Sequence, residues 1–99
     1  MSNDSKFRIS ETGFQIDLYN GYTISVQFSA FHHCSNRHGE DTGSYYTLQC
    51  SDAEVAVIDP DGEFVNLHEH DDVLGYQSVS EVIAIINKFN VLDHDTRLH

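Results

Sequence analysis

Histidine and cysteine side chains, which can bind zinc or form a nucleophile with its base, lie at a few places in the chain. The run His32-His33-Cys34 precedes His38, and Cys50 and the pair His68-x-His70 follow. Structural zinc sites usually draw their ligands from close pairs such as Cys-x-x-Cys. The cysteines are sixteen residues apart, and neither belongs to such a pair. We therefore predict no metal site and two reduced thiols, as in a reducing cytosol.

Residue patterns typical of catalytic and calcium sites are as weak as those for zinc. Cys34 stands next to histidines, but adjacent residues of a strand or loop point apart, and no third orienting group is apparent. The run Asp59-Pro60-Asp61-Gly62 begins like a calcium loop but lacks its later ligands, and it is typical of a turn. Pairs of carboxylates carry no weight in a chain with 16 acidic residues. The sequence therefore predicts a protein that is not an enzyme and uses no cofactor.

The charge distribution is the least ordinary feature of this 99-residue chain. Its 16 Asp and Glu oppose 5 Lys and Arg, which gives a net charge of −11, and no Lys or Arg occurs from His38 to Asn87. This balance argues against direct binding of nucleic acid and against attachment to an anionic membrane. Two interpretations stay open: a solvated acidic face, or an anionic surface for a partner protein with a basic surface.

In the second interpretation, carboxylates spaced along a strand pair imitate the phosphates of nucleic acid. The partner would then be a protein whose basic surface normally binds nucleic acid. The candidate binding residues are Glu54, Asp59, Asp61, Glu63, Glu69, Asp71 and Asp72.

The long loop 31–46 offers an alternative site of a different class. Its aromatic side chains could stack on a flat ligand, while an arginine holds an anionic group. Such a module would sequester a nucleotide-like small molecule, and we expect it to act as a homo-oligomer. A plain structural or interaction protein is the third interpretation. The candidate ligand-binding residues are Phe31, His33, Asn36, Arg37, Tyr45 and Tyr46.

Strands must position these residues, because apolar and polar side chains alternate along the first half of the chain. The strands on either side of Asn20-Gly21 keep their apolar residues on one face only if three residues form the turn, which pairs Ile16 with Ile24. Gly21 is then left-handed. An earlier strand contains Ile9, and a two-residue turn at Thr12-Gly13 would place Ile9 opposite Ile16.

A second set of strands is predicted over residues 45–50, 53–58 and 63–67. The last two are joined by a three-residue turn, Pro60-Asp61-Gly62, which pairs Val57 with Val65 and Val55 with Leu67. This hairpin is apolar on both faces, as expected for the centre of a sheet or for a surface that covers a partner.

One helix follows, over residues 79–90. Ser78 and Glu81 form a capping box, and an apolar stripe is spaced along one side. The predicted fold is α+β: an antiparallel hairpin meander of five to six strands with one C-terminal helix packed on one face. We expect residues 1–99 to form a single domain, with a frayed tail at 93–99. The stripe predicted to lie in the core consists of Val79, Val82, Ile83, Ile86 and Phe89.

Two further runs support a resemblance. The strand Asn20–Phe28 and the loop Cys34-Ser35-Asn36-Arg37 resemble a family of small, mostly uncharacterised bacteriophage proteins with an NGYxISVQF strand followed by a C-x-NR loop. Ala53–Val65 and Asp72–Val82 match a later hairpin and the start of a helix, so the likeness covers about residues 14–90. It implies a viral protein that acts in the host cytosol as an inhibitor of host machinery or defence.

Overall fold

The computed structural model describes residues 5–10, 12–29, 32–35, 49–69 and 71–92. In this part of the chain, five strands form one antiparallel sheet in which each strand pairs with the next. A single helix packs on the sheet, so the predicted α+β meander is confirmed. The elements are β1 (Lys6–Ile9), β2 (Gly13–Asp17), β3 (Thr23–Gln27), β4 (Asp52–Ile58), β5 (Val73–Ser78) and α1 (Val79–Asn90).

The turn between β2 and β3 has the predicted three residues. Ile16 lies opposite Ile24, and the Leu18 N–H donates to the Tyr22 carbonyl at 2.8 Å. Gly21 has a φ of 96°, the left-handed conformation that glycine adopts without strain. Matching the apolar faces across a turn therefore predicts its length correctly here.

The predicted register of β1 is wrong by two residues, although its parity is right. Ile9 lies opposite Phe14 and not opposite Ile16. The reason is that Gly13 belongs to β2 and not to the turn. A Cβ on Gly13 would lie 2.0 Å from the carbonyl oxygen of Val26 on β3, so close pairing of these two strands requires glycine at this position.

The strand predicted at 63–67 does not form, although the turn before it is as predicted. The Asp59 N–H donates to the Glu63 carbonyl at 2.8 Å, and the Val65 N–H donates to the Val57 carbonyl at 2.8 Å. The pairing then stops, because the Leu67 N–H donates to the Asp71 carbonyl within a second turn.

The strand beside β4 is instead β5. It places Leu74 opposite Val55, where Leu67 was expected. Of the strand predicted over 45–50, residues 45–48 lie outside the described residues, and Gln49 and Cys50 are not in a strand. The predicted tail at 93–99 also lies outside them.

Helix α1 begins as predicted. The Ser78 hydroxyl accepts from the Glu81 N–H at 3.2 Å, and the Ser78 N–H donates to the Glu81 carboxylate at 2.7 Å. The helix contacts β4 and β5. The core between the two layers contains Leu18, Tyr22, Ile24, Val26, Ala53, Val55, Val57, Val82 and Phe89.

The predicted apolar stripe of α1 is only partly buried. Val82 and Phe89 are in the core, whereas Val79 and Ile83 are 65% and 51% exposed, so their placement in the core is wrong. These two residues lie one turn apart at the rim of the interface, where they line a groove that Phe14 closes from β2. None of the helices in the described ranges has the length and hydropathy of a membrane span.

Candidate functional site

A bulge in β5 shapes the candidate site. The register between β4 and β5 shifts between Ala53 and Val55, so that two residues of β5, Gly75 and Tyr76, lie opposite Glu54. Tyr76 has a φ of 55°, a left-handed conformation that is costly for a residue other than glycine. Bulges are often found beside functional sites, where they redirect side chains.

The segment 32–35 packs against this bulge. The Tyr76 N–H donates to the His33 carbonyl at 2.8 Å, and the His33 N–H donates to Glu54 Oε2 at 3.2 Å. A Cβ on Gly75 would lie 2.7 Å from the Cβ of His33. The absence of a side chain at Gly75 therefore lets the segment lie directly on β5.

Asp52 holds the other end of the segment. Its Oδ1 accepts from the Ser35 N–H at 2.5 Å, and its Oδ2 accepts from the Ser35 hydroxyl at 2.6 Å. Cys34, between His33 and Ser35, is fully buried, and its thiol donates to the Ser29 carbonyl at 3.3 Å. Two acidic residues of β4 thus fix the segment by accepting its backbone N–H groups.

An open cleft of about 540 Å³ lies where the segment, β4 and β5 meet. We call it the acidic cleft, because three carboxylates line it together with an exposed histidine and an exposed tyrosine. The imidazole Nε2 of His33 lies 3.9 Å from Glu54 Oε2. The residues of the acidic cleft are His33, Glu54, Asp71, Asp72, Val73, Gly75 and Tyr76.

The acidic cleft brings together residues from both predicted sites. Glu54, Asp71 and Asp72 come from the predicted anionic surface, and His33 comes from the predicted ligand loop. Sequence reasoning did not identify Gly75 or Tyr76. The strand pattern gives no signal for them, since the bulge interrupts its alternation.

The remaining predicted acids lie outside the acidic cleft, in the connection between β4 and β5. Asp59 stabilises its own turn, since Oδ1 accepts from the backbone N–H groups of Asp61 at 2.9 Å and Glu63 at 3.0 Å. Glu69 is exposed with a φ of 51°, and its carboxylate lies 4.0 Å from His68. Asp59 therefore has a structural role, whereas the side chains of Glu63 and Glu69 are directed to solvent.

The lysines and arginines of the described ranges lie elsewhere. Lys6 and Arg8 are on β1, at the opposite end of the sheet from β5, and Lys88 is in the last turn of α1. Arg8 pairs with Asp17 at 2.8 Å. Burial acts to raise the pKa of Asp17, but the hydrogen bonds from Arg8 and Thr23 and the positive charges of Arg8 and Lys6 together outweigh it and leave the pKa below its usual value.

Five residues of the predicted ligand site lie outside the described residues. The predicted stacking of a nucleotide-like ligand therefore stays a prediction. They are Phe31, Asn36, Arg37, Tyr45 and Tyr46.

The two cysteines dismissed on spacing lie close together. The sulfur atoms of Cys34 and Cys50 and a carboxylate oxygen of Asp52 all lie within 4.8 Å of one another. Cys50, two residues before Asp52 at the start of β4, lies beside the buried Cys34. The sequence contained a signal for part of this group. Cys50 and Asp52 are two positions apart, and residues at this spacing point to the same face of a strand.

Comparison of the chain with protein-family models, with curated proteins and with solved structures finds no match.

Proposed function

We propose that this chain is a non-catalytic binding protein whose acidic cleft contacts the basic surface of a partner protein. The observation that carries the proposal is the convergence of Glu54, Asp71 and Asp72 on one open concave surface. No Lys or Arg is among the described residues that line it. Charges of one sign in a cleft focus the electrostatic potential and attract groups of the opposite sign.

The residues around the acidic cleft are negatively charged as well. Residues 59–72 contain six acidic residues and no Lys or Arg, and this connection leads directly into the acidic cleft. The positive residues of β1 lie at the far end of the sheet. This separation of charge would orient the protein with the acidic cleft toward a basic partner and accelerate association.

The identity of the partner is part of the proposal. A surface that carries carboxylates in place of phosphates suits a protein whose basic surface binds nucleic acid. The resemblance to bacteriophage proteins implies a bacterial host protein or a defence protein as that partner. Occupying its basic surface would inhibit it in the host cytosol.

The acidic cleft itself suits a cationic group better than a nucleotide. Its three carboxylates repel phosphate, whereas they can accept charge-assisted hydrogen bonds from arginine and lysine. Tyr76, which is exposed beside them, offers an aromatic face to a guanidinium group. A nucleotide held by loop 31–46 is the competing function, and the experiment must separate the two.

Two variants with the same change in charge test the proposal. Asp71→Asn with Asp72→Asn removes two carboxylates from the acidic cleft, and Asp61→Asn with Glu63→Gln removes two from the turn after β4. The immobilised protein is used to isolate a partner from bacterial lysate, and binding of the purified partner is then measured by surface plasmon resonance. We expect the first variant to slow association and to speed dissociation, since it removes direct contacts.

The turn variant should only slow association, because it weakens long-range attraction without removing contacts. Both effects should shrink as ionic strength rises. Equal dissociation rates in the two variants would refute the acidic cleft as the contact surface. If both acidic variants bind normally, and Arg37→Ala with Tyr46→Ala releases a small molecule detected by native mass spectrometry, the sequestering function replaces our proposal.

A further inference from the structure

We infer that Cys34, Cys50 and Asp52 bind one thiophilic divalent metal ion of the Zn²⁺ class. Their two sulfur atoms and a carboxylate oxygen lie within 4.8 Å of one another. Around a tetrahedral zinc ion, with Zn–S of about 2.3 Å and Zn–O of about 2.1 Å, such atoms are roughly 3.6 Å apart. Rotation of the side chains can bring the three ligand atoms to these shorter separations. This inference is independent of the proposed function.

The three ligands are held in place by contacts that need no metal. Ser35, the neighbour of Cys34, donates through its backbone N–H and its hydroxyl to the two oxygens of Asp52. Cys50 lies two residues before Asp52, and its Sγ is 4.0 Å from Asp52 Oδ1. Hydrogen bonds of this kind orient ligating carboxylates in known metal sites, while the remaining lone pairs stay available to a metal.

The donor set indicates the class of metal. Two thiolates and a carboxylate would place three negative charges together, and a bound divalent cation compensates most of that charge. Thiolates are soft ligands that favour zinc and similar ions over Mg²⁺ and Ca²⁺. Three protein ligands leave one tetrahedral position for water or another ligand.

The positions of the three ligands mean that a bound metal would join two parts of the fold. Cys34 belongs to the segment 32–35, which forms one wall of the acidic cleft through His33, whereas Asp52 begins β4. A metal bound between them would fasten this segment to the sheet. Metal binding would then stabilise the folded protein, since an unfolded chain does not present the three ligands together.

Cobalt is the probe for this site, because thiolate-bound Co²⁺ absorbs in the near ultraviolet and tetrahedral Co²⁺ absorbs in the visible. Co²⁺ is titrated into the reduced protein, and Zn²⁺ is then added in competition. We expect both the near-ultraviolet and the visible absorption bands to appear at one Co²⁺ per protein. Zn²⁺ should abolish both bands, and excess Mg²⁺ should leave them unchanged. Binding should also weaken as the pH falls, because the thiols must lose their protons.

Cys50→Ser is the decisive variant, since Cys50 is only partly buried and its replacement is expected to fold. We expect it to lower Co²⁺ affinity by more than about 100-fold, because changes outside the ligands alone cost about 10- to 100-fold. Glu63→Gln, which removes an exposed carboxylate elsewhere, is the control and should bind as the parent does. Melting curves confirm that both variants are folded.

Two results would overturn the inference. One is the lack of a thiolate-to-cobalt absorption band at stoichiometric Co²⁺ in the folded, reduced protein. The other is an unchanged affinity in Cys50→Ser, which would locate the ion at other residues.

Discussion

The side chain of Asn20 caps the C-terminal end of α1, where its Nδ2 donates to the Phe89 carbonyl at 2.8 Å. The same Nδ2 donates to the Leu92 carbonyl at 2.7 Å, and Oδ1 accepts from the Tyr22 N–H at 3.2 Å. Asn20 is only 2% exposed. A buried amide in the β2–β3 turn thereby donates to two carbonyls at the C-terminal end of the helix, where intrahelical donors run out. The sheet and the helix are joined by hydrogen bonds as well as by apolar packing.

Asn20→Ala should therefore lower the free energy of unfolding by about 1–3 kcal/mol, because it removes the buried amide that donates to the Phe89 and Leu92 carbonyls. Asn20→Asp should cost more, since it replaces the donating amide with a carboxylate that faces two carbonyl oxygens. Urea denaturation measures both. Asn66→Ala, at an exposed asparagine, is the control and should be close to neutral. A loss at Asn20 no larger than at Asn66 would show that the cap does not contribute.

The two sides of the α1 stripe should respond differently to a charge. Val82 is 9% exposed and Ile83 is 51% exposed. Val82→Asp should unfold the protein, because a buried unpaired charge costs several kcal/mol, which is comparable with the whole stability. Ile83→Asp should leave a cooperative melting transition. Thermal melts followed by circular dichroism decide this, and an unfolded Ile83→Asp variant would show that Ile83 is part of the core.

Stability in acid should depend on Asp17. Its pKa is lowered in the folded protein, where burial opposes and the hydrogen bonds from Arg8 and Thr23 favour the charged form. The resulting stabilisation is present above the unfolded pKa of about 3.9 and is lost as the pH falls toward the folded value. Asp17→Asn should thus be less stable than the parent at neutral pH, and the difference should shrink below about pH 4.

Urea denaturation at a series of pH values tests this. Glu63→Gln, at an exposed position in the turn after β4, serves as the control. A difference between Asp17→Asn and the parent that stays constant down to about pH 2 would exclude the linkage.

Turns and caps were predictable from the sequence because each depends on a few neighbouring residues. The turn at Gly21 follows from matching the apolar faces of its strands, and the start of α1 follows from Ser78 and Glu81. Strand β5 was not predicted. Gly75 and the bulge at Tyr76 disrupt its alternation, while the segment 63–67, which alternates better, turns away from β4 after Val65.

The candidate site was predictable only in part. The excess of acid in residues 59–72 is visible in the sequence, and Asp71 and Asp72 were among the residues singled out. Their meeting with Glu54 and His33 depends on the bulge and on the crossing of the segment 32–35 over β5. Such long-range contacts leave no periodic signal in a single sequence. The same reason explains why the closeness of the two cysteines was not predicted.

The contact between Gly75 and His33 predicts that alanine at position 75 destabilises the protein. A Cβ on Gly75 would lie 2.7 Å from His33 Cβ and 3.1 Å from the His33 carbonyl oxygen. Gly75→Ala should displace the segment 32–35 and break its bonds to Tyr76 and Glu54, at about 1 kcal/mol for each bond. Without this contact, alanine would stabilise a strand position by about 0.5–1 kcal/mol relative to glycine.

His33→Gly supplies the matched control, because it removes the Cβ that the new alanine meets. Gly75→Ala should therefore lower the free energy of unfolding clearly in the parent protein and much less in the His33→Gly variant. The difference between the two losses is the coupling energy between the two positions. Urea denaturation of the four proteins measures it. Hydrogen exchange of the Tyr76 N–H, which donates to the His33 carbonyl, should accelerate in Gly75→Ala. A stabilised Gly75→Ala variant with slow exchange at Tyr76 would mean that the segment does not lie on β5, and the acidic cleft would lose the wall that His33 forms.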